Sequence, residues 1–357
     1  MKKVLHILAV MLTSSFAFAQ EETEAATSPA TTWGGSADAY YKYDFSKQMN
    51  GLTSFTNSQD SFELGMASVQ AGHTFGKASV FVDLGFGKRA GEFSYNETTD
   101  KDINAKFLIK QLFFTYQVTD KFKFVAGSFG THIGYEVLDA IGNKNYSMSY
   151  AFSYGPFFNT GLKAQYTSGK FTAMLGITNP TDFKSAMDAG SSQKTYIAQV
   201  GYIGDTGSAY LNFTSGSSNP ASEENKTQID FVASKAITDA FSLGFNATYA
   251  KTNNDIDSAL DGDWFALVGY ANYAFKPSLS LAYRMEYFDA KDAAASLGTL
   301  TGSNVFANTV SLNYKVGKLT IIPELRYDAA SQDIFLDKDA APTGGSFFGL
   351  VATTYSF

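Results

Sequence analysis

Four charged residues stand at alternate positions in two segments of the chain: Arg284 with Glu286, and Glu324 with Arg326. In a β-strand, residues two apart point to the same face, so each pair presents both signs of charge to one side. Opposed charges across a narrow water path create a transverse field that orients polar solutes. The other interpretation is a paired network that only stabilises the wall of the protein.

Residues that support catalysis or metal binding are scarce. The chain has 3 His and no Cys, and His73 and His132 are the two beyond the amino-terminal segment. Asx residues cluster in 253–263, but they lack the Gly at position six and the Glu at position twelve that an EF-hand loop requires. The sequence has no nucleotide-binding glycine loop and no local Ser/His/Asn motif. We therefore expect no enzyme activity, no cofactor and no metal site.

A two-residue alternation of apolar with small or polar side chains recurs along the chain. It is clearest in 78–87, 241–250 and 279–288. About sixteen such segments occur, and the short turns between them alternate with long polar loops. This asymmetry is typical of a transmembrane antiparallel β-barrel with short periplasmic turns and long extracellular loops. The alternative is a secreted all-β domain, which has no reason to separate its loops in this way.

The amino-terminal segment predicts export. A basic start, an apolar stretch and an Ala-Phe-Ala cleavage site make residues 1–19 a predicted signal peptide that is cleaved. Residues 20–34 form an acidic leader that we expect to be disordered, and the barrel is expected to occupy 35–357. Removing Lys2 and Lys3 from the 27 basic residues leaves 25 against 34 acidic ones. This charge disfavours nucleic acid as a partner.

A barrel of about sixteen strands leaves an aqueous channel, whereas eight strands are filled by their own side chains. If the apolar face meets lipid, the polar face lines the lumen. Its acidic and basic members are nearly balanced and the excess acid lies in the loops, so we expect a weak cation preference. The acidic members are Asp38, Asp83, Asp230, Glu286, Glu324 and Asp328, and the basic ones are Lys42, Lys163, Arg284, Lys315 and Arg326.

The segment 132–155 differs from the other predicted loops because it is rich in aromatic residues. We expect it to fold toward the lumen and narrow it, although a loop that only covers the barrel wall would have a similar composition. Its two acidic residues would then face the charges of the wall. The predicted pore-lining and constriction residues are Asp83, Glu136, Asp139, Lys163, Arg284, Glu286, Glu324 and Arg326.

The last alternating segment ends on an aromatic residue. Tyr355 and Phe357 share its apolar face. A terminal aromatic on such a strand is the signal that the barrel-assembly machinery recognises in outer-membrane proteins. We therefore predict that Tyr355 and Phe357 form the assembly signal.

Two stretches resemble a known family. They are Gly127–Glu136 (GSFGTHIGYE) and Asn145–Gly161 (NYSMSYAFSYGPFFNTG). They are similar to the OmpL-like β-barrel porin family of Bacteroidetes outer membranes, and the resemblance extends over the whole barrel. It implies an outer-membrane barrel of the porin type, and it brings no catalytic motif with it.

We expect a porin-like channel in the bacterial outer membrane that passes small hydrophilic solutes by passive diffusion. The alternative is a plugged or narrow barrel that acts as a structural subunit of a larger outer-membrane complex. Expected partners are outer-membrane lipid, the barrel-assembly machinery and the solutes themselves. A homo-oligomer or a larger membrane complex is also compatible with the sequence.

Overall fold

A computed structural model describes residues 29–94, 109–185, 193–219, 224–290 and 295–357 of the chain. Within these residues the protein is almost entirely β-structure. The strands are Ala30–Asp44 (β1), Ser61–Phe75 (β2), Ala78–Phe86 (β3), Ile109–Thr119 (β4), Phe122–Gly130 (β5), Phe158–Ser168 (β6), Phe171–Thr178 (β7), Thr195–Ile203 (β8), Gly207–Asn219 (β9), Glu224–Ala236 (β10), Phe241–Asn254 (β11), Gly262–Lys276 (β12), Leu279–Asp289 (β13), Asn304–Val316 (β14), Leu319–Ala330 (β15), Phe335–Leu336 (β16), Pro342–Thr343 (β17) and Gly345–Ser356 (β18).

Sixteen of these strands form one closed antiparallel barrel, in which each strand pairs with its neighbours in the chain. β1 closes the barrel against β18, with Ala37 opposite Tyr355. The two short strands β16 and β17 pair only with each other, in the loop before β18. Closure leaves no free sheet edge, which is the condition for strands to cross a bilayer. The sixteen-stranded antiparallel barrel predicted from the alternation is therefore confirmed.

Most strand boundaries lie within four residues of those that the alternation predicts, and the start of the barrel differs most. The alternation of apolar and polar residues predicts strands over 304–316 and 319–330, and β14 and β15 occupy these ranges. β1, however, begins at Ala30, and its first residues pair with the end of β2, Ala30 opposite Thr74. The predicted leader 20–34 is therefore too long, because main-chain pairing with β2 orders residues that the composition alone assigns to a tail. The predicted signal peptide lies outside the described residues.

The outer face of the barrel is apolar. Leu175, on β7, and Leu325, on β15, are 69% and 53% exposed. Aromatic side chains are concentrated towards the strand ends, where Phe171 packs against Tyr202 at one end and Tyr41 packs against Phe62 at the other. An apolar belt between two aromatic girdles is the outer surface that a bilayer requires.

Only short helices occur in the described residues. Helix α1, Lys88–Phe93, follows β3, and helix α2, Tyr150–Ser153, lies between β5 and β6. Single 3₁₀ turns occupy Ala140–Gly142 and Ser258–Leu260. None of the helices in the described ranges is long and apolar enough to cross a membrane.

Candidate pore constriction

The segment between β5 and β6, residues 131–157, is called loop 3 here. It lies inside the barrel and contacts the inner wall through its main chain. The amides of Tyr146 and Ser147 donate to the two carboxylate oxygens of Glu324 on β15, at 2.7 and 3.1 Å. Ser311 on β14 also donates to Glu324, at 2.7 Å. One buried carboxylate thus satisfies two loop amides that water does not reach.

Glu286 on β13 holds the start of helix α2 in the same way. It accepts from the amides of Tyr150 and Ala151 at 2.9 and 2.7 Å. The first amides of a helix have no partner within the helix, and a carboxylate is the acceptor that suits them best. Glu286 is fully buried. Its contacts are therefore with the loop and not with lumen water.

Two arginines complete this set of wall contacts. Arg284 pairs with Glu136 of loop 3 and donates to the carbonyl oxygen of Ser147 at 2.6 Å. Arg326 pairs with Asp328 on its own strand at 2.7 Å and donates to the carbonyl oxygen of Met148, also at 2.7 Å. We call Arg284, Glu286, Glu324 and Arg326 the loop 3 anchor.

Loop 3 is also held on the opposite part of the wall. Asp139 accepts from Lys110 on β4 at 2.6 Å and from Ser68 on β2 at 3.2 Å. The ammonium of Lys110 lies 3.0 Å from Asp83 on β3. Tyr146 donates its hydroxyl proton to Asp38 on β1. Loop 3 therefore crosses the lumen from β13, where Arg284 pairs with Glu136, to β4, where Lys110 pairs with Asp139.

The tyrosines of loop 3 act as hydroxyl donors in these contacts. Burial raises the pKa of Tyr154 to about 12. Burial also raises the pKa of Tyr146 and of Tyr150, and the carboxylates of Asp38 and Asp328 that accept their protons contribute to the rise. The three hydroxyls therefore stay protonated at neutral pH.

An apolar contact fills the space between loop 3 and the inner face of β12–β14. Tyr150 packs with Phe288, at a ring-centroid distance of 5.6 Å, and Trp264 and Val268 belong to the same buried cluster. The cavity left between Tyr135 and Tyr270 measures about 20 Å³, which is the space of one water molecule. Loop 3 is therefore closely packed against the inner face of β12–β14.

Every barrel strand carries at least one buried inward side chain, and on β4–β8 these lie near the end that meets the long loops. Loop 3 and the residues around α1 occupy part of the lumen, so it is narrower than the strand number alone predicts. Each of the following inward side chains is at most 5% exposed: Lys42, Ser68, Asp83, Lys110, Phe129, Asn159, Thr178, Thr195, Asn212, Asp230, Asn246, Val268, Glu286, Thr309, Arg326 and Phe348.

The residues singled out from the sequence fall into three groups. Glu136 meets the loop 3 anchor through Arg284. Asp139 instead joins Asp83 at Lys110, on the other side of the lumen. Lys163, on β6, is apart from both groups, with its ammonium 3.8 Å from the centroid of the Phe129 ring.

Two buried cations in this network are absent from the sequence-based list. Lys110 points inward beside Gln111 because the pairing of β3 with β4 shifts register after Asp83. Such a bulge breaks the two-residue period, and no residue type in the sequence announces it. Arg89 belongs to α1 and lies over the rings of Phe55 and Tyr146, at 4.7 and 5.2 Å.

The two histidines are far from the loop 3 anchor and from each other. His73 lies 2.8 Å from the hydroxyl of Thr31 near the end of β2. His132 contacts the carbonyl oxygen of Phe213 on β9 at 3.0 Å. The structure does not bring either ring to the buried carboxylates.

Tyr355 and Phe357 point outward on the strand that closes the barrel, 45% and 60% exposed. The amide of Phe357 donates to the carbonyl oxygen of Gly35 at 3.1 Å. The terminal residue thus takes part in closure, and its role as an assembly signal stays a prediction.

A closed barrel of sixteen strands with a loop folded into its lumen is the architecture of a bacterial outer-membrane porin. The family described as "Putative beta-barrel porin-2, OmpL-like" matches residues 30–357. The chain therefore belongs to this family and is a porin-like channel of the outer membrane. No curated protein matches the chain.

Several solved structures share the fold. The anion-selective porin from Comamonas acidovorans superposes with a TM-score of 0.63 at 14% identity, covering 92% of this chain and 100% of that one. OmpT of Vibrio cholerae gives 0.60 at 12% identity, with 94% and 100% covered. The outer membrane channel DcaP of Acinetobacter baumannii gives 0.57 at 12% identity, with 94% and 99% covered. At these identities the similarity shows the fold alone.

Proposed function

We propose that the protein passes small hydrophilic solutes by passive diffusion, along a narrow path that loop 3 confines. The observation that carries this proposal is the loop 3 anchor, which holds the loop across the lumen through buried carboxylates and guanidinium groups. A constriction made of a loop on a rigid wall keeps its width because both sides are packed.

The path runs along the inner face of β6–β9. Four inward side chains on these strands remain partly exposed inside the barrel: Gln165, Thr172, Gln199 and Tyr210. The arc β12–β14 is instead covered by loop 3, where Tyr150 packs on Phe288. Amide and hydroxyl groups along the accessible arc exchange hydrogen bonds with hydrated solutes, so small polar molecules suit it.

We propose no enzyme activity for this barrel. Burial lowers the pKa of His132 to about 4, and its ring contacts a main-chain carbonyl oxygen of β9. A general base needs a hydroxyl or a water within hydrogen-bond reach and a carboxylate or amide that orients it. The contacts of His132 supply a strand carbonyl instead.

We also propose that outer-membrane lipid surrounds the apolar belt and that the assembly machinery recognises Tyr355 and Phe357. One solved form of the Vibrio cholerae OmpT is described as a trimer. By analogy we propose a homo-oligomer for this chain. Chemical cross-linking of the purified protein, compared before and after boiling, tests this assembly.

A plugged barrel that serves as a structural subunit is the second candidate. Its support is the burial of inward side chains on every barrel strand. The two candidates differ in one measurable property, because a narrow channel conducts ions and a plug does not.

Planar-bilayer conductance and liposome swelling with sugars of increasing size separate the candidates. We expect wild type to conduct weakly and Glu286→Ala/Glu324→Ala to conduct more, because four loop amides lose their acceptors. Asp337→Ala/Asp339→Ala removes the same charge from the exposed last loop and is the matched control. A silent wild type with a conducting anchor variant would indicate the plugged barrel. Silence in both would reject the channel.

A further inference from the structure

Four inward lysines lie in the lumen away from the carboxylates. They are Lys123 on β5, Lys144 in loop 3, Lys163 on β6 and Lys315 on β14, and we call them the lumen lysines. Lys144 and Lys315 are exposed, and Lys123 and Lys163 are partly exposed, although all four are inside the barrel. Water in the lumen therefore reaches each of them.

Lys123 and Lys163 form one pair of neighbours. In the register of β5 with β6, Lys123 is opposite Gln165 and Val125 is opposite Lys163. The two lysines are thus diagonal neighbours on the same inner face, within reach of one small ligand. Lys123 is the second residue of β5, so this pair lies toward the short-turn end, which faces the periplasm in outer-membrane barrels.

Lys144 and Lys315 form the second pair. The side-chain amide of Asn313 donates to the carbonyl oxygen of Lys144 at 2.9 Å, and Lys315 follows two residues later on the same inner face of β14. Desolvation inside the barrel lowers the pKa of Lys144, and the like charge of Lys315 lowers it further. Lys315 is next to the last residue of β14, so this pair also lies toward the short turns.

The two pairs face each other across the lumen. In the circular order of strands, β6 and β14 are eight strands apart in either direction. A solute that leaves the β6–β9 arc toward the periplasm therefore passes between them.

No ion pair with another described residue involves any of the lumen lysines. The carboxylates inside the barrel, in contrast, already accept hydrogen bonds from nearby donors. Asp230 accepts from Asn212, Asn246 and the amide of Gly134. Asp38 and Asp139 are partly exposed, and each is held by donors, Tyr146 and Met66 for the first and Lys110 and Ser68 for the second.

Like charges that share a water-filled space are stabilised by a counter-ion. We infer that Lys123, Lys144, Lys163 and Lys315 form a binding region for small anions at the periplasmic end of the lumen, and that the channel therefore favours anionic over cationic solutes. Chloride, inorganic phosphate and small carboxylates belong to this class. The inference rests on the proposed channel, and it replaces the weak cation preference expected from the sequence, because most wall carboxylates are buried.

Reversal potentials across a KCl gradient test the inference. We expect wild type to prefer chloride over potassium. Lys123→Gln/Lys163→Gln and Lys144→Gln/Lys315→Gln should each lower the permeability ratio by about threefold. Replacing all four lysines by Glu should reverse the preference. Lys121→Gln/Lys318→Gln, in exposed turns beside the two pairs, removes the same charge outside the lumen and should leave the ratio unchanged.

Calorimetric titration of the purified protein with inorganic phosphate gives a readout that needs no conduction. We expect either Gln pair to weaken phosphate binding at least threefold and the turn control to leave it unchanged. A silent barrel that binds phosphate through these lysines would reject the channel and keep the anion site. A conducting barrel whose ion preference and phosphate binding are the same in all variants would overturn the inference and keep the channel. A potassium preference in wild type would also overturn it.

Discussion

The inner walls of β13–β15 and of β6–β8 belong to one sheet and follow the same alternation, yet they present different surfaces. On β13–β15, Arg284, Glu286 and Arg326 are buried under loop 3. On β6–β8, Lys163 and Gln199 are partly exposed and no carboxylate accompanies them. The first arc binds the protein's own loop, whereas the second keeps accessible polar side chains beside a small buried apolar cluster that includes Met174 and Ile197.

This difference shows that a charged residue in the wall of a barrel does not by itself mark the solute path. The carboxylates and guanidinium groups of β13–β15 are used to satisfy the main chain of a loop that has left water. The path is marked by inward side chains that stay accessible after the loop has folded.

Removal of a cation should lower the free energy of unfolding much more on the first arc than on the second. Arg284→Met leaves Glu136 and the carbonyl oxygen of Ser147 buried without their donor, which should lower the free energy of unfolding by about 3–5 kcal/mol. Lys163→Met removes a cation that has no carboxylate partner, and should cost less than about 1 kcal/mol. Urea unfolding in detergent, followed by tryptophan fluorescence, measures both. Equal losses would show that the two arcs do not differ in this way.

The outer and inner faces of the second arc can be compared on a single strand. Leu175→Arg places a charge on the lipid face of β7, which should cost about 2–4 kcal/mol near the bilayer midplane and reduce assembly. Thr172→Arg points into the accessible lumen and should assemble normally. Heat-modifiable mobility in detergent gels reports the folded fraction. If Thr172→Arg failed to fold and Leu175→Arg folded, the assignment of faces would be wrong.

Loop 3 contacts β9, the strand next to the second arc, through the neutral ring of His132, and acid should weaken that contact. Burial holds the pKa of His132 at about 4, below its value of about 6.5 in the unfolded chain. Between these values the unfolded chain binds the proton and the folded protein does not, so stability falls as pH falls. From pH 7 to 5 wild type should lose about 1–2 kcal/mol more than His132→Gln. The same loss in both proteins would contradict a buried neutral ring.

The fold and the choice of inner and outer face are predictable from the sequence. The period of two decides which side chains meet lipid, and Leu281 and Arg284 lie on the faces that it assigns to them. Both ends of β14 are predicted from the sequence. The alternation is uninterrupted along the strand, and Gly302 and Gly317 lie just outside its two ends. Periodicity carries this information because lipid imposes the same requirement on every strand.

The contacts inside the barrel are less predictable. The aromatic residues of loop 3 identify it in the sequence, but they do not identify the wall residues that it contacts. Glu136 pairs with Arg284 and Asp139 pairs with Lys110, on different sides of the lumen. Lys110 was missed because a bulge reverses the face to which it points. Which charges remain accessible depends on where the loop packs, and that is a property of the folded barrel.

A cross-link between loop 3 and the β14 wall tests whether loop 3 is anchored to β13–β15. The side-chain amide of Asn145 lies 2.7 Å from the hydroxyl of Ser311, and the chain has no cysteine of its own. We predict that Asn145→Cys/Ser311→Cys is joined in high yield by a short bifunctional thiol reagent, with single-channel conductance unchanged. Asn145→Cys/Thr172→Cys, which reaches to the other arc, should not be joined. Equal cross-linking in both variants, or a fall in conductance when the first is joined, would show that loop 3 is not anchored to β13–β15.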